Sequence, residues 1–117
     1  EAIAMRTKEI IIAMQKDAKT TFKSLKVDGG GSRNDLLMQI QSNLLGVEVV
    51  RPQTTETTAL GAAFFAGLAS GFWDSIQSLK KAWNINKSFK PIKSDETKNI
   101  ITLWEKRVKE VSNPSNK

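Results

Sequence analysis

Three consecutive glycines, Gly29-Gly30-Gly31, separate an apolar run from an amphipathic segment that opens at Asn34. Such a stretch lets the backbone adopt dihedral angles that are closed to other residues and brings bare N–H groups close to a ligand. If a strand precedes the glycines and a helix follows, the unpaired donors and positive dipole end of that helix favour a phosphate or nucleotide. The local pattern is equally compatible with a strand-to-helix turn that binds nothing.

The glycine stretch matches neither common nucleotide fingerprint. The residues that follow it, Ser32-Arg33-Asn34, do not complete the G-x-G-x-x-G pattern of dinucleotide folds. The chain also contains no G-x-x-x-x-G-K-[ST] pattern, which excludes the P-loop. A ligand at this position would therefore be held in another way.

Hydrophobic periodicity in the first half of the chain predicts helices alternating with short strands. The expected elements are a helix over 1–16 with Ile3, Ile10 and Met14 at helical spacing, a strand over 24–28, a helix from Asn34 to Gly46 with Leu36, Leu37, Ile40 and Leu44 on one stripe, and a strand over 47–50 ended by Arg51-Pro52. A strand, a helix and a strand in such close succession predict a compact parallel crossover of right-handed sense.

The next predicted helix starts near Thr57 and Thr58, whose hydroxyls can cap it, and Glu56 lies at its positive end. Two rows of small residues run along it: Ala59, Ala63, Gly67 and Gly71, and beside them Ala62, Ala66 and Ser70. Small rows allow another backbone to approach closely. The pattern favours tight packing of this helix on a sheet, and a sliding or hinging contact is the alternative.

The last third of the chain predicts a short helix after Asp74, an extended stretch with Ile85 and Phe89, and a final helix capped at Ser94. Trp83 and Trp104 fall at helical apolar positions and are expected to anchor the core. We therefore predict one α/β unit over residues 1–111, followed by a disordered tail over 112–117.

Composition excludes several classes of function. The 117 residues contain no cysteine and no histidine, so a disulfide framework, a thiolate metal site and a histidine base are absent. The formal charge of +6 comes mostly from lysines scattered along the chain, which argues against nucleic-acid binding. The longest apolar run, Ala59 to Trp73, is shorter than the ~20 residues that cross a bilayer, so we expect no membrane insertion. No targeting segment is visible, and the start of the sequence in mid-helix suggests a piece of a longer protein.

Taken in order, the motifs resemble the C-terminal part of the glycerol kinases, which belong to the FGGY carbohydrate kinases. The resemblance runs from Glu1 to about Val108 and rests on Asp28-Gly29-Gly30-Gly31-Ser32-Arg33-Asn34, Leu37-Met38-Gln39-Ile40-Gln41-Ser42, Arg51-Pro52, Thr57-Thr58-Ala59-Leu60-Gly61-Ala62-Ala63, Gly67-Leu68-Ala69-Ser70-Gly71-Phe72-Trp73, Phe89-Lys90-Pro91 and Trp104. It implies an α/β fragment of a ribonuclease H-like domain, of the actin/hexokinase/Hsp70 ATPase type, with helices packed on a small, mostly parallel sheet.

The resemblance also implies a function and a binding site. Family members transfer the terminal phosphoryl group of ATP to glycerol, with Mg²⁺ present, and give sn-glycerol 3-phosphate. Gly30 would contact the nucleotide through its backbone, Asn34 would reach the adenosine portion, and Gly29 and Gly31 would shape the loop. Asp28 would only cap or brace the turn. The catalytic aspartate, the metal ligands and the glycerol-binding side chains would all lie upstream, so this chain alone is expected to be inactive.

Further expectations follow from the same resemblance. The parent enzyme would be cytoplasmic and a homo-oligomer, either dimer or tetramer, that meets glycerol through its N-terminal domain. The helix from Thr58 would lie near the hinge between the two domains. The segment 92–98 is similar to the docking site of a regulatory phosphotransfer protein in some bacterial members, and otherwise reads as an ordinary helix cap.

Two residues depart from the pattern of the glycerol kinases, namely Gly31, where a larger residue is common, and Arg6, where glutamine is common. They leave room for another sugar or polyol kinase of this family, such as a xylulokinase-like enzyme. A non-enzymatic interaction module built on the same scaffold is the remaining alternative.

Overall fold

The computed structural model describes residues 1–112, which form five α-helices and a three-stranded sheet. The elements are α1 (Ala2–Ala18), β1 (Ser24–Lys26), α2 (Asp35–Leu45), β2 (Glu48–Pro52), α3 (Thr57–Ala69), α4 (Ile76–Ala82), β3 (Ile85–Phe89) and α5 (Asp95–Ser112). Because α5 reaches Ser112, it passes the predicted domain end by one residue. The rest of the predicted disordered tail, 113–117, lies outside the described residues.

The sheet is mixed and has the strand order β1-β2-β3. β1 and β2 are parallel, with Leu25 opposite Val49, which confirms the predicted crossover through α2. β3 pairs with β2 in the antiparallel sense, with Phe89 opposite Val49. The expectation of a mostly parallel sheet is corrected accordingly, because the chain returns along β2 after α4 and adds one antiparallel pair to the single parallel one.

The helix α2 lies at the centre of the packing. On one side, Met38 packs with Val49 and Phe89 of the sheet. On its other side, Leu44 packs with Ala4 and Met5 of α1, and Ile100, Ile101 and Trp104 of α5 lie against this cluster. Trp104 is thus part of the core, as predicted, and α2 is fixed between the sheet and two further helices.

Local chemistry sets the ends of the helices. Asn34 caps the start of α2, since its side chain accepts the Leu37 N–H. At the other end, Gly46 adopts a left-handed conformation with φ of 71° and donates to the Ser42 carbonyl. Ser94 accepts the Thr97 N–H at the start of α5. The predicted start of α2 at Asn34, its predicted end at Gly46 and the predicted cap at Ser94 are confirmed.

The start of α3 differs from the prediction. Its N-cap residue is Glu56, no side chain caps the helix, and Thr57 is already its first residue. The Thr57 hydroxyl donates instead to the Asp28 carboxylate, a tertiary contact that no local pattern reveals.

α3 also does not pack on the sheet. None of its residues is buried, and Phe65 is 77% exposed. The row of small residues has a more local role at Gly67, where an added Cβ would lie 2.2 Å from the Trp73 ring. This glycine lets Trp73 fold back on the last turns of α3 and meet the Phe64 ring edge-on at 5.2 Å.

Several apolar positions of the predicted stripes are exposed. Ile3, Ile10 and Met14 of α1 face outward, and the residues of α1 that are buried are Ala4 and Met5. Leu36 of α2 is likewise exposed, so it does not share the buried stripe of that helix. Within residues 1–112, no helix combines the length and hydropathy needed to cross a membrane.

Candidate functional site

The glycine loop lies where the parallel strands β1 and β2 both end. The Val27 N–H continues the strand pairing by donating to the Val50 carbonyl at 3.0 Å. Two residues later, the Gly29 N–H donates to the Thr55 carbonyl at 2.9 Å, which ties the loop to the connection between β2 and α3. In α/β folds, ligands bind in the crevice outside the carboxyl ends of the strands. The predicted loop therefore stands at the edge of the sheet where a ligand is expected.

The loop itself is a single turn of 3₁₀-helix, Gly30–Arg33, entered through Gly29. Gly29 has a φ of 73°, which favours glycine, and its carbonyl accepts both the N–H and the hydroxyl of Ser32 at 3.2 and 2.7 Å. An added Cβ at Gly30 or Gly31 would meet nothing within 4 Å. Internal packing therefore does not require these two glycines, and the open space above them can admit a ligand.

Asn34 joins the loop to α2. Its N–H donates to the Gly31 carbonyl at 3.3 Å, and its Oδ1 accepts the Leu37 N–H at 3.0 Å. Because the oxygen is used for capping, the Nδ2 amide group is the part of this side chain that can reach a ligand. The structure thus brings Gly29, Gly30, Gly31 and Asn34 together at the N-terminus of one eleven-residue helix.

Arg51 belongs to the same site, although its sequence pattern indicated only the end of a strand. The residue is only 9% exposed, and its guanidinium makes four hydrogen bonds. Nη1 donates to the Ser32 carbonyl at 2.7 Å and to Asp35 at 2.8 Å, and Nε and Nη2 donate to Asn86 Oδ1 at 3.0 and 2.9 Å. One signal was present in the sequence, since a buried strand that reads Val-Val-Arg-Pro places a cation where apolar residues are usual.

Asp35 places a negative charge in the first turn of α2, beside the loop. Its carboxylate bonds Lys87 at 2.6 Å and Arg51 at 2.8 Å. The hydrogen bond from Lys87, and then that from Arg51, hold the pKa of this carboxyl below its ordinary value. Both cations pair with the carboxylate, and Arg51, unlike Lys87, also bonds the loop through the Ser32 carbonyl.

A hollow of about 280 Å³ opens beside the loop. It is lined by Arg33, Arg51, Pro52, Gln53, Thr55 and Asn86. Arg33 is held at its rim by Thr55 Oγ1, at 3.2 Å from Nη2, and lies 3.8 Å from Glu56. A second hollow of about 200 Å³ lies near Asp28, between Trp83 and Pro52. The carboxylate of Asp28 accepts the hydroxyl of Thr57, so Asp28 braces the turn, as expected.

The residues that the structure describes include no group of three or more acidic side chains that could hold a metal ion. What the loop offers to a ligand is backbone N–H groups, one side-chain amide and the positive end of α2. These are the donors that suit a phosphorylated ligand.

Comparisons with known proteins agree on one family. A model described as the FGGY family of carbohydrate kinases, C-terminal domain, matches residues 1–70. The glycerol kinase of Deinococcus radiodurans is 49% identical over 109 residues, which cover 92% of this chain and 22% of that protein. The glycerol kinase of Shewanella woodyi is 51% identical over 114 residues, which cover 97% of this chain and 23% of that protein.

Solved structures give the same result for the fold. The crystal structure of Plasmodium falciparum glycerol kinase with ADP matches with a TM-score of 0.81 at 30% identity, covering 92% of this chain and 22% of that one. Xylulose kinase from Lactobacillus acidophilus matches with a TM-score of 0.63 at 17% identity, which shows a shared fold only. The predicted ribonuclease H-like fold is confirmed, and the chain spans about a fifth of the length of the relatives it matches.

Proposed function

This chain belongs to the FGGY family of carbohydrate kinases, within its C-terminal domain, and we propose that it is the ATP-binding part of a glycerol kinase. The complete enzyme transfers the terminal phosphoryl group of ATP to a hydroxyl of glycerol, giving sn-glycerol 3-phosphate and ADP. The identity of about half with glycerol kinases over most of the chain supports glycerol over other substrates. The relative that was solved with ADP supports a nucleotide as the ligand.

One observation carries the assignment of the site. The turn at Gly30 and Gly31 faces open space at the carboxyl edge of the parallel strands, directly before the N-terminus of α2. We propose that the Gly30 backbone contacts the nucleotide and that the Asn34 amide reaches its adenosine portion. We propose that Gly29 and Gly31 shape the loop: a side chain at Gly29 would strain a backbone with φ of 73°, and one at Gly31 would enter the open space.

In the proposed reaction, this chain binds and orients the nucleotide. Phosphoryl transfer depends mainly on alignment of the reacting groups and on electrostatic stabilisation. A rigid binding site for the nucleotide therefore contributes directly to the rate of transfer. Mg²⁺, when bound, neutralises charge on the phosphates, and its ligands lie in the part of the parent enzyme outside this chain. The aspartate that accepts the glycerol proton lies there as well.

Three further properties of the parent enzyme belong to this proposal. It is cytoplasmic, it assembles as a homodimer or homotetramer, and it meets glycerol through its N-terminal domain. Residues 1–111 form the C-terminal portion of its nucleotide-binding domain and have no kinase activity alone.

A coupled assay of ADP release tests the proposal on the full-length protein and on the 117-residue chain. We expect glycerol-dependent release from the full-length protein and none from the chain. Pentuloses, hexuloses and other polyols are assayed in parallel, because a related kinase of the same family would prefer one of them. Faster turnover of any of these than of glycerol would refute the substrate, and activity of the isolated chain would refute its proposed dependence on the missing part.

A further inference from the structure

We propose that Arg51 is a positioning residue that fixes Asn34 and the glycine loop in the conformation that accepts a nucleotide. This inference rests on the proposed function, because it assigns a role within the same site. Arg51 touches no reacting atom in this scheme. It acts through the residues that it holds.

The contacts of Arg51 enclose Asn34 on both sides along the chain. Its Nη1 bonds the carbonyl of Ser32, two residues before Asn34, and the carboxylate of Asp35, one residue after it. Ser32 in turn bonds Gly29 through its N–H and its hydroxyl. A single guanidinium nitrogen is thus linked to the turn, to the start of α2 and, through Ser32, to the glycine that opens the loop.

The other nitrogens hold the guanidinium itself in place. Nε and Nη2 both donate to Asn86 Oδ1 on β3, and the guanidinium carbon lies 5.5 Å from the centre of the Phe89 ring. Arg51 therefore has contacts on two sides, with β3 on one and the loop on the other. A lysine cannot reproduce this arrangement, because its ammonium group is a single point of charge without the planar fork.

The burial of Arg51 helps to distinguish a role in stability from a role in setting the geometry of the loop. A buried cation costs free energy unless it is paired and hydrogen-bonded, and replacing buried ion pairs by apolar residues is often neutral or even stabilising. An apolar residue packed among partners that need no hydrogen bond would therefore serve stability as well. What an apolar residue would not supply is the bond to the Ser32 carbonyl, and this difference points to a role in setting loop geometry.

The test measures ATP kinetics of the full-length enzyme with three substitutions. Arg51→Met removes every hydrogen bond, Arg51→Lys keeps the charge, and Asn86→Ala removes the two hydrogen bonds to β3 while keeping the guanidinium. The control is Lys87→Met, which removes the other cation on Asp35 but has no contact with the Ser32 carbonyl. Asn34→Ala reports on the proposed site itself.

We expect the KM for ATP to rise about tenfold in both Arg51 variants and about threefold in Asn86→Ala. The KM for glycerol is expected to stay unchanged, and Lys87→Met should change the KM for ATP less than twofold. A role in stability alone would lower the active fraction, and therefore the apparent kcat, while leaving the KM for ATP unchanged. A change in the KM for ATP therefore indicates positioning of the loop, and a change in the apparent kcat alone indicates a role in stability. Because Asn86 is exposed, Asn86→Ala can still be measured if an Arg51 variant does not fold.

An ATP KM within twofold of the parent value in every folded variant of Arg51 and Asn86 would overturn the inference. If Asn34→Ala raises the KM while these variants do not, the proposed site stands and only the role of Arg51 fails. If Asn34→Ala also leaves the KM unchanged, the proposed nucleotide site itself is wrong.

Discussion

Gly67 of α3 provides a sharp test of how the aromatic residues after this helix are held. An alanine Cβ at this position would lie 2.2 Å from Cε3 and 2.3 Å from Cζ3 of Trp73, well inside any real contact distance. The Gly67→Ala substitution must therefore displace the indole ring. Gly61 of the same helix is the matched control, because an added Cβ there meets nothing within 4 Å.

The expected magnitude follows from the contacts that the ring makes. Trp73 meets Phe64 and Phe72 edge-on, with ring centres 5.2 and 4.9 Å apart, and such pairs contribute about 0.5–1.5 kcal/mol each. Alanine recovers up to about 1 kcal/mol of helix propensity, and less near a helix end such as Gly67. We expect Gly67→Ala to destabilise this unit by about 1–2 kcal/mol. Gly61→Ala should stabilise the helix by about 0.5–1 kcal/mol.

Amide hydrogen exchange over residues 57–69 measures this difference. Because no residue of α3 is buried, the helix should open locally rather than only with the whole chain. Gly67→Ala is expected to accelerate exchange by roughly 5- to 30-fold, and Gly61→Ala to slow it. Equal protection in the two variants would refute the reasoning, since it would mean that Trp73 does not rest on Gly67.

Two further predictions concern carboxyl groups whose pKa is lowered by hydrogen bonds in the folded state. Asp35→Asn should lower the melting temperature more at pH 7 than at pH 3. The lowered pKa of Asp35 in the folded state stabilises the fold at neutral pH, and this contribution is lost as the pH falls through that pKa. An equal loss of melting temperature at both pH values would contradict this. Trp104→Phe removes the indole N–H that donates to Glu9 at 2.7 Å and, with Arg6, holds the pKa of that carboxyl down. An NMR titration should therefore show the Glu9 pKa rising toward its ordinary value, and an unchanged pKa would contradict the assigned cause.

The features that sequence predicted well are those decided by neighbouring residues. Asn34, Gly46 and Ser94 end or begin helices because each satisfies backbone groups within the same turn. The parallel crossover through α2 is similarly local, since a strand, a helix and a strand in close succession have few ways to pack.

The features that sequence missed depend on distant parts of the chain. Thr57 was expected to cap α3, but its hydroxyl bonds Asp28, 29 residues earlier. The apolar spacing of α1 and the small-residue rows of α3 indicated faces that prefer burial, whereas Ile3 is exposed and no residue of α3 is buried. An apolar pattern reveals which face favours a partner, but not whether the same chain supplies that partner.

In the candidate site, too, sequence predicted the residues that are neighbours along the chain and missed the one whose partners are distant. The glycines and Asn34 were found from the pattern because they are adjacent in sequence. Arg51 was not, because its partners Ser32, Asp35 and Asn86 come from three other segments and only the fold brings them together.

The affinity of the full-length protein for ADP after Gly30→Leu tests the central claim most directly. A Cβ added at Gly30 meets nothing within 4 Å, so the fold should persist while the longer side chain occupies the space proposed for the nucleotide. Gly46→Ala is the control, because it strains a backbone with φ of 71° about 16 Å away along α2. We predict that titration calorimetry finds ADP binding weakened at least tenfold by Gly30→Leu and unchanged by Gly46→Ala. Unchanged ADP affinity in a folded Gly30→Leu variant would contradict the proposal that this loop binds the nucleotide.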